Sequence, residues 1–228
     1  MIALYELKGR DDRRYSLFSW RVRMALKHKG LPFETRAVLQ SDKETIAFSG
    51  GRTVPVIRDG ETVVRDSWAI AEYLEKRYPQ GYSLLGDAVG HGLSLGWNLW
   101  VDRVVVPAML PAIVADVHAN VDPADQVYFR GNMEKFLGCT LEEAGAGAAQ
   151  AMARFSKVVD PVRSTLKRHP WICGAAPAYA DYALFAVFQW ARVMSAADVL
   201  PGADDPLRAW RERVLDLHGG YARDVKIA

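Results

Sequence analysis

The chain has 228 residues, 50% of them hydrophobic and 25% charged, with a formal net charge of +2. This is the composition of a globular protein in water, long enough for one large domain or two small ones. So slight a positive excess implies, by charge alone, no nucleic-acid or membrane-surface partner.

Ile2 to Leu7 reads as a short strand, and the mixed-sign run Lys8 to Arg14 as a solvated loop. Phe18, Val22, Ala25 and Leu26 then recur at helical spacing, predicting a helix from about Ser19 to Lys29 that Gly30 and Pro32 end. Glu34 to Leu39 reads as a second strand, completing a β-α-β unit. After a loop through Gly50 and Gly51, Val54 to Arg58 and Glu61 to Arg65 form two strands joined by Asp59-Gly60, a dipeptide suited to a tight hairpin turn. Asp66-Ser67 opens a helix with Ile70, Tyr73 and Leu74 on one face. Tyr78-Pro-Gln-Gly81 closes this first unit, so residues 1–80 are expected to form one domain and 81–89 a linker.

From residue 90 to 228 only helices are expected: Leu93 to Met109, Asp125 to Phe136, Leu141 to Lys167, and Tyr182 to Val193. The last is apolar all round and so belongs at the centre of the helical domain. The Ala-Gly-rich piece Ala144 to Ala149 reads as close helix packing or a local interruption. Trp97 and Trp100 share a helix face; packing is the plain reading, with Trp100 a candidate wall of a substrate pocket. Cys139 and Cys173 show no metal or redox spacing and read as buried free thiols, and the five histidines lack metal-ligand spacing. No metal cofactor is expected. The start, Met-Ile-Ala-Leu-Tyr-Glu-Leu, lacks the layout of a signal peptide, and no apolar run approaches the ~20 residues of a membrane span. A cytoplasmic protein with no membrane partner is expected.

Three places carry chemistry. Ser16 stands where a strand has ended and a helix begins, among free N–H groups at the positive end of the helix dipole. A thiol with a pKa near ~8.5 is mostly protonated at neutral pH, and a hydroxyl together with such a helix start favours its thiolate. Ser16 or Ser19 also serves as an ordinary N-cap. Val54-Pro55 begins a strand, where proline is tolerated because it has no N–H to offer. Asp66-Ser67 is an N-cap pair and equally an anion site.

Ser16-Leu-Phe-Ser-Trp-Arg-Val-Arg23, Thr53-Val-Pro-Val-Ile-Arg-Asp-Gly60, Asp66-Ser-Trp-Ala-Ile-Ala-Glu-Tyr-Leu74 and Ala178-Tyr-Ala-Asp181, taken in order, resemble the glutathione transferase family. The resemblance implies an α+β thioredoxin-like N-terminal domain that binds glutathione as co-substrate, an all-α C-terminal domain that shapes a pocket for a hydrophobic aromatic electrophile, and a homodimer. It gives Ser16 the glutathione sulfur. It gives the Val54 backbone, after a cis bond to Pro55 in the Thr53-Val54-Pro55 segment, the cysteinyl unit, and Asp66 and Ser67 the γ-glutamyl end. Arg52 is placed to pair with the glycyl carboxylate or to stay a solvated loop arginine, and Phe18 joins Trp100 as a candidate pocket wall. Ala178 stands where a capping side chain is expected before the central helix, leaving Asp181 with half of a capping box.

Zeta-type transferases have Ser-Ser-Cys-Ser-Trp-Arg-Val-Arg, which places a cysteine at Phe18. The longer Leu7 to Ser16 loop, Gly50-Gly-Arg52, Ala180-Asp-Tyr182, Ala186-Val-Phe188 and Asp204-Asp-Pro-Leu-Arg-Ala-Trp210 look instead like the bacterial β-aryl etherase and related fungal branch, which attacks an activated ether carbon with glutathione thiolate. The alternative is a non-catalytic glutathione-binding module serving as a stress or chaperone partner.

Overall fold

The computed structural model of the chain describes residues 1–200 and 202–228. Strands β1 (Ile2–Leu7), β2 (Phe33–Val38), β3 (Val56–Asp59) and β4 (Thr62–Arg65) form one sheet in the order β2-β1-β3-β4. β1 and β2 are parallel, with Ile2 opposite Phe33 and Leu7 opposite Val38, because helix α1 (Leu17–His28) carries the crossover. Gly60, at φ 59°, turns the chain between β3 and β4, which pair Ile57 with Val64. Helix α2 (Ser67–Arg77) then packs beside α1. This is the expected thioredoxin-like unit, with small shifts. β3 begins at Val56 and not at Val54, since Pro55 has no N–H for a ladder, and the Val54-Pro55 bond is cis. Helix α1 begins at Leu17, two residues early, because Ser16 and not Ser19 is its N-cap.

The rest is helical. α3 (Ala88–Trp100), a π turn (Val101–Val105) and α4 (Val106–Asn120) make a longer rod than the apolar pattern predicts. A 3-10 turn (Pro123–Asp125) leads into α5 (Gln126–Leu137). The segment read as one helix from Leu141 to Lys167 is three: α6 (Leu141–Ala146), α7 (Ala148–Val158) and α8 (Asp160–Leu166). Gly147 breaks the first junction inside the Ala-Gly-rich piece, and Pro161 sits in the first turn of α8 where a missing N–H costs nothing. α9 (Tyr179–Met194) is buried along almost its whole length, and α10 (Pro206–Gly220) leaves helical geometry at Leu217.

One apolar core joins the two units, running from Leu4, Trp20 and Leu26 to Tyr182, Phe185 and Trp210. α1 packs directly on α9. At the start of α9, Ala178 offers no cap, and Asp181 compensates by accepting hydrogen bonds from the N–H groups of Ala178 (3.2 Å) and Ile172 (2.9 Å) and from the Trp210 indole (2.8 Å). Gly9 meets α4 so closely that a Cβ there would lie 2.6 Å from the Asn120 carbonyl oxygen. The two cysteines are free, as expected, but not buried: Cys139 is half-buried and Cys173 exposed, because both lie in connections outside the helix core. Among the described residues no helix is long and apolar enough to cross a membrane.

Candidate functional site

A cleft of about 660 Å³ opens at the carboxyl end of β1 and beside the start of α2. Ser16, Phe18, Arg52, Thr53, Val54, Pro55, Asp66 and Ser67 all line it, so the eight candidate residues of the N-terminal unit are brought together from three segments far apart in sequence. Ser16 is 7% exposed and its Oγ accepts only a long 3.4 Å hydrogen bond from the Ser19 N–H, which leaves the hydroxyl proton for a ligand. Ser19 is fully buried and lines neither this cleft nor the apolar cavity beside it.

Asp66 caps α2 through Oδ1, which accepts from the N–H groups of Trp68 (2.9 Å) and Ala69 (3.0 Å). Its backbone sits at φ 74°, ψ 135°, a region that non-glycine residues rarely adopt and that tends to mark functional sites. That geometry leaves Oδ2 free of the helix and sets Ser67, 3% exposed, at the cleft wall. Among the described residues no partner takes the Val54 backbone N–H or carbonyl. Lys43, Arg52 and Arg65 face Asp42 and Asp66 across the cleft, three cations against two carboxylates, a balance that suits a ligand with net charge −1. Gly51 packs against the Arg65 side chain, which would have to shift to admit a Cβ placed 2.8 Å from it.

Beside it lies an apolar cavity of about 340 Å³ between the units, walled chiefly by Leu17, Phe18, Val106, Leu110, Phe129 and Trp190. Ser16, Phe18, Leu7 and Gln40 belong to both spaces. Trp100 lines neither: its ring is 4.8 Å from that of Trp97, and Asp102 and Val106 form the cavity wall at this level. The π turn places Asp102 there, with its carboxylate held by fully buried Arg21 (2.7 Å) and by Asn98 (3.1 Å).

Gln40, Lys43 and Tyr15 escaped the sequence reading, as did the residue that holds their loop. Asp125, fully buried, accepts hydrogen bonds from the Gln40 N–H (2.6 Å), the Ser41 N–H (2.8 Å) and the Ser41 hydroxyl (2.6 Å), fastening the loop after β2 to the helical unit. An Asp after a proline beside a helix start was the one signal available, and it reads as a cap. Tyr15 shows no periodic signal at all, being in the loop ahead of α1.

The chain matches the family described as "Glutathione S-transferase, N-terminal domain" over residues 15–77 and "Glutathione S-transferase, C-terminal domain" over residues 93–218. It belongs to the glutathione S-transferase family. Over 122 residues it is 32% identical to the zeta-class glutathione S-transferase of Euphorbia esula, a match covering 50% of this chain and 54% of that protein. The chain thus spans about half the length of that curated relative. The fold is similar throughout to a glutathione S-transferase of Ceriporiopsis subvermispora solved in complex with glutathione, with a TM-score of 0.80 at 22% identity over 96% of this chain and 97% of that one. It is also similar to a glutathione transferase from Phanerochaete chrysosporium, with a TM-score of 0.77 at 26% identity over 97% of this chain and 93% of that one.

Proposed function

We propose that the chain is a glutathione transferase in which Ser16 stabilises the glutathione thiolate for attack on an aromatic electrophile, with β-aryl ethers as the substrate class. The observation that carries this reading is the position of Ser16, a helix N-cap hydroxyl on the wall shared by a polar cleft and an apolar cavity. In this reading the Val54 backbone pairs with the cysteinyl unit, as an added strand would. Ser67 and the first N–H groups of α2 take the γ-glutamyl carboxylate while Asp66 offsets the ammonium, and Arg52 and Lys43 face the glycyl carboxylate. The thiol proton leaves to solvent, the sulfur bonds to the ether carbon, the C–O bond breaks, and the departing aryloxide takes a proton from water. Holding both reactants across Ser16 supplies the orientation. Phe18, in place of the zeta cysteine, supports the etherase-like branch over the zeta class to which the Euphorbia relative belongs.

A homodimer and a cytoplasmic location accompany the reading. Val89 and Leu93 leave an apolar stripe of α3 exposed, and Val104 continues it within the π turn. A second copy of this chain covers that stripe in the proposed dimer, and Leu93→Glu should shift sedimentation from dimer to monomer.

Glutathione consumption with 2-phenoxyacetophenone and with 1-chloro-2,4-dinitrobenzene tests the chemistry. Ser16→Ala should lower turnover about a hundredfold, the usual effect of removing one donor to a developing or stabilised anion, with little change in glutathione affinity. Undiminished turnover removes Ser16 from the sulfur, turnover of the halide alone removes the ether, and turnover of neither favours a binding module.

A further inference from the structure

Two polar atoms of the apolar cavity residues have no partner. Tyr15 lines the cavity and is 4% exposed, yet its hydroxyl is buried without a hydrogen bond among the described residues. Gln40 Oε1 is in the same condition. Elsewhere on the wall Ser16 Oγ accepts from the Ser19 N–H, and the Asp102 carboxylate is held by Arg21 and Asn98. Buried polar groups in folded proteins are nearly always paired with protein, ordered water or ligand, so an orphan on a cavity residue is a candidate partner for a ligand atom.

The kind of atom follows from the surroundings. Burial first, and then the carboxylates of Asp125 and Asp122, push the Tyr15 phenol above its ordinary pKa, so it remains a neutral O–H donor at physiological pH. Asp125 already accepts from Gln40 and Ser41 and does not accept from Tyr15. Its negative charge nearby opposes an anionic partner. The acceptor that fits is a neutral oxygen on a molecule otherwise apolar enough for this cavity.

We propose that Tyr15 is a specificity-determining residue whose hydroxyl donates a hydrogen bond to a carbonyl, ether or nitro oxygen of the aromatic electrophile. It rests on the reading of the apolar cavity as the second-substrate site. The cavity then selects oxygen-bearing aromatics over hydrocarbons of the same shape, and Ser16 and Tyr15, consecutive in the chain, address the sulfur and the electrophile respectively.

Acetophenone and ethylbenzene have nearly the same shape, and only the first carries the oxygen. Trp190 in the cavity wall reports their entry by fluorescence quenching of the full chain without glutathione. The ratio of acetophenone to ethylbenzene affinity should fall about three- to tenfold in Tyr15→Phe, the size of one neutral hydrogen bond. An unchanged ratio overturns the proposal. Should Tyr15→Phe not fold, para-substituted acetophenones test the parent protein alone: affinity should rise with carbonyl basicity, and a flat series overturns the proposal. Glutathione calorimetry on the same protein separates the two readings. No glutathione binding with the ratio intact removes the transferase and keeps the Tyr15 donor; glutathione binding with no oxygen preference does the reverse.

Discussion

Asp125→Ala should both destabilise the fold and weaken the polar cleft. The carboxylate fastens Gln40 and Ser41 through three hydrogen bonds of 2.6 to 2.8 Å, each to a charged acceptor. Such bonds are worth about 1.5–3 kcal/mol each when fully buried. Gln40 is only half-buried and Ser41 is exposed, so water replaces part of what is lost. A total near 2–4 kcal/mol remains, which for a chain of this size lowers Tm by roughly 4–15 °C. Leu39, Gln40, Asp42 and Lys43 all ride on the released loop and line the cleft. Glutathione affinity should therefore drop several-fold although Asp125 itself lines neither cavity. Urea unfolding and calorimetry measure the two effects, and Asp125→Asn, keeping one acceptor oxygen, should fall between parent and Ala. A stability loss under about 1 kcal/mol, or a destabilised protein with unchanged glutathione affinity, would refute the clamp.

Ser67→Ala and Asp66→Ala should each weaken glutathione binding by about 1.5–3 kcal/mol in calorimetry, the range for a charge-assisted hydrogen bond; equal affinity in both variants excludes those side chains from the site. Burial pushes His28 below the ordinary imidazole pKa and keeps it neutral, with Nδ1 2.7 Å from the Tyr182 hydroxyl. Its contribution is present above the unfolded-state pKa of about 6.5 and is lost as pH falls through the lower folded value. Unfolding free energy should fall between pH 7 and pH 5, less steeply in His28→Gln, and an identical slope in that variant contradicts the assignment. Gly9→Ala should cost about 1–3 kcal/mol in denaturant unfolding, because the new Cβ meets a backbone carbonyl that cannot turn away; a neutral result would mean that the units separate freely at that point.

Local pattern carried the fold a long way. Strand and helix starts in the first eighty residues were readable because Gly30, Pro32, Asp59-Gly60 and Asp66 each act within a few residues of themselves. Helix breaks were harder: Gly147 and Pro161 interrupt a segment whose apolar period carries straight through, so periodicity merged three helices into one. The cleft was legible through motifs at helix starts and at Pro55, where backbone groups are left open by local rules. The apolar cavity was not. Trp97 and Trp100 announce a shared face, but whether the cavity meets that face depends on the π turn, which has no sequence signature here. Tyr15, Gln40 and Asp125 acquire their roles only when α5 is brought against the loop after β2, a contact between residues 84 and 85 positions apart in the case of Asp125.

The π turn from Val101 to Val105 sets the phase of everything after it. An α-helix advances about 100° per residue, so the extra residue lets one continuous rod show Val89 and Leu93 outward on its first half while Leu110, Val114 and Val117 point inward on its second. Deleting a single residue there would keep the rod helical and its composition nearly intact. It would nevertheless rotate the second half by a quarter turn or more, carrying those three side chains off the core and withdrawing Asp102 from Arg21. The helix is thus an indexed part, and its tolerance to length change is lowest at a point where tolerance to substitution at exposed Arg103 is high.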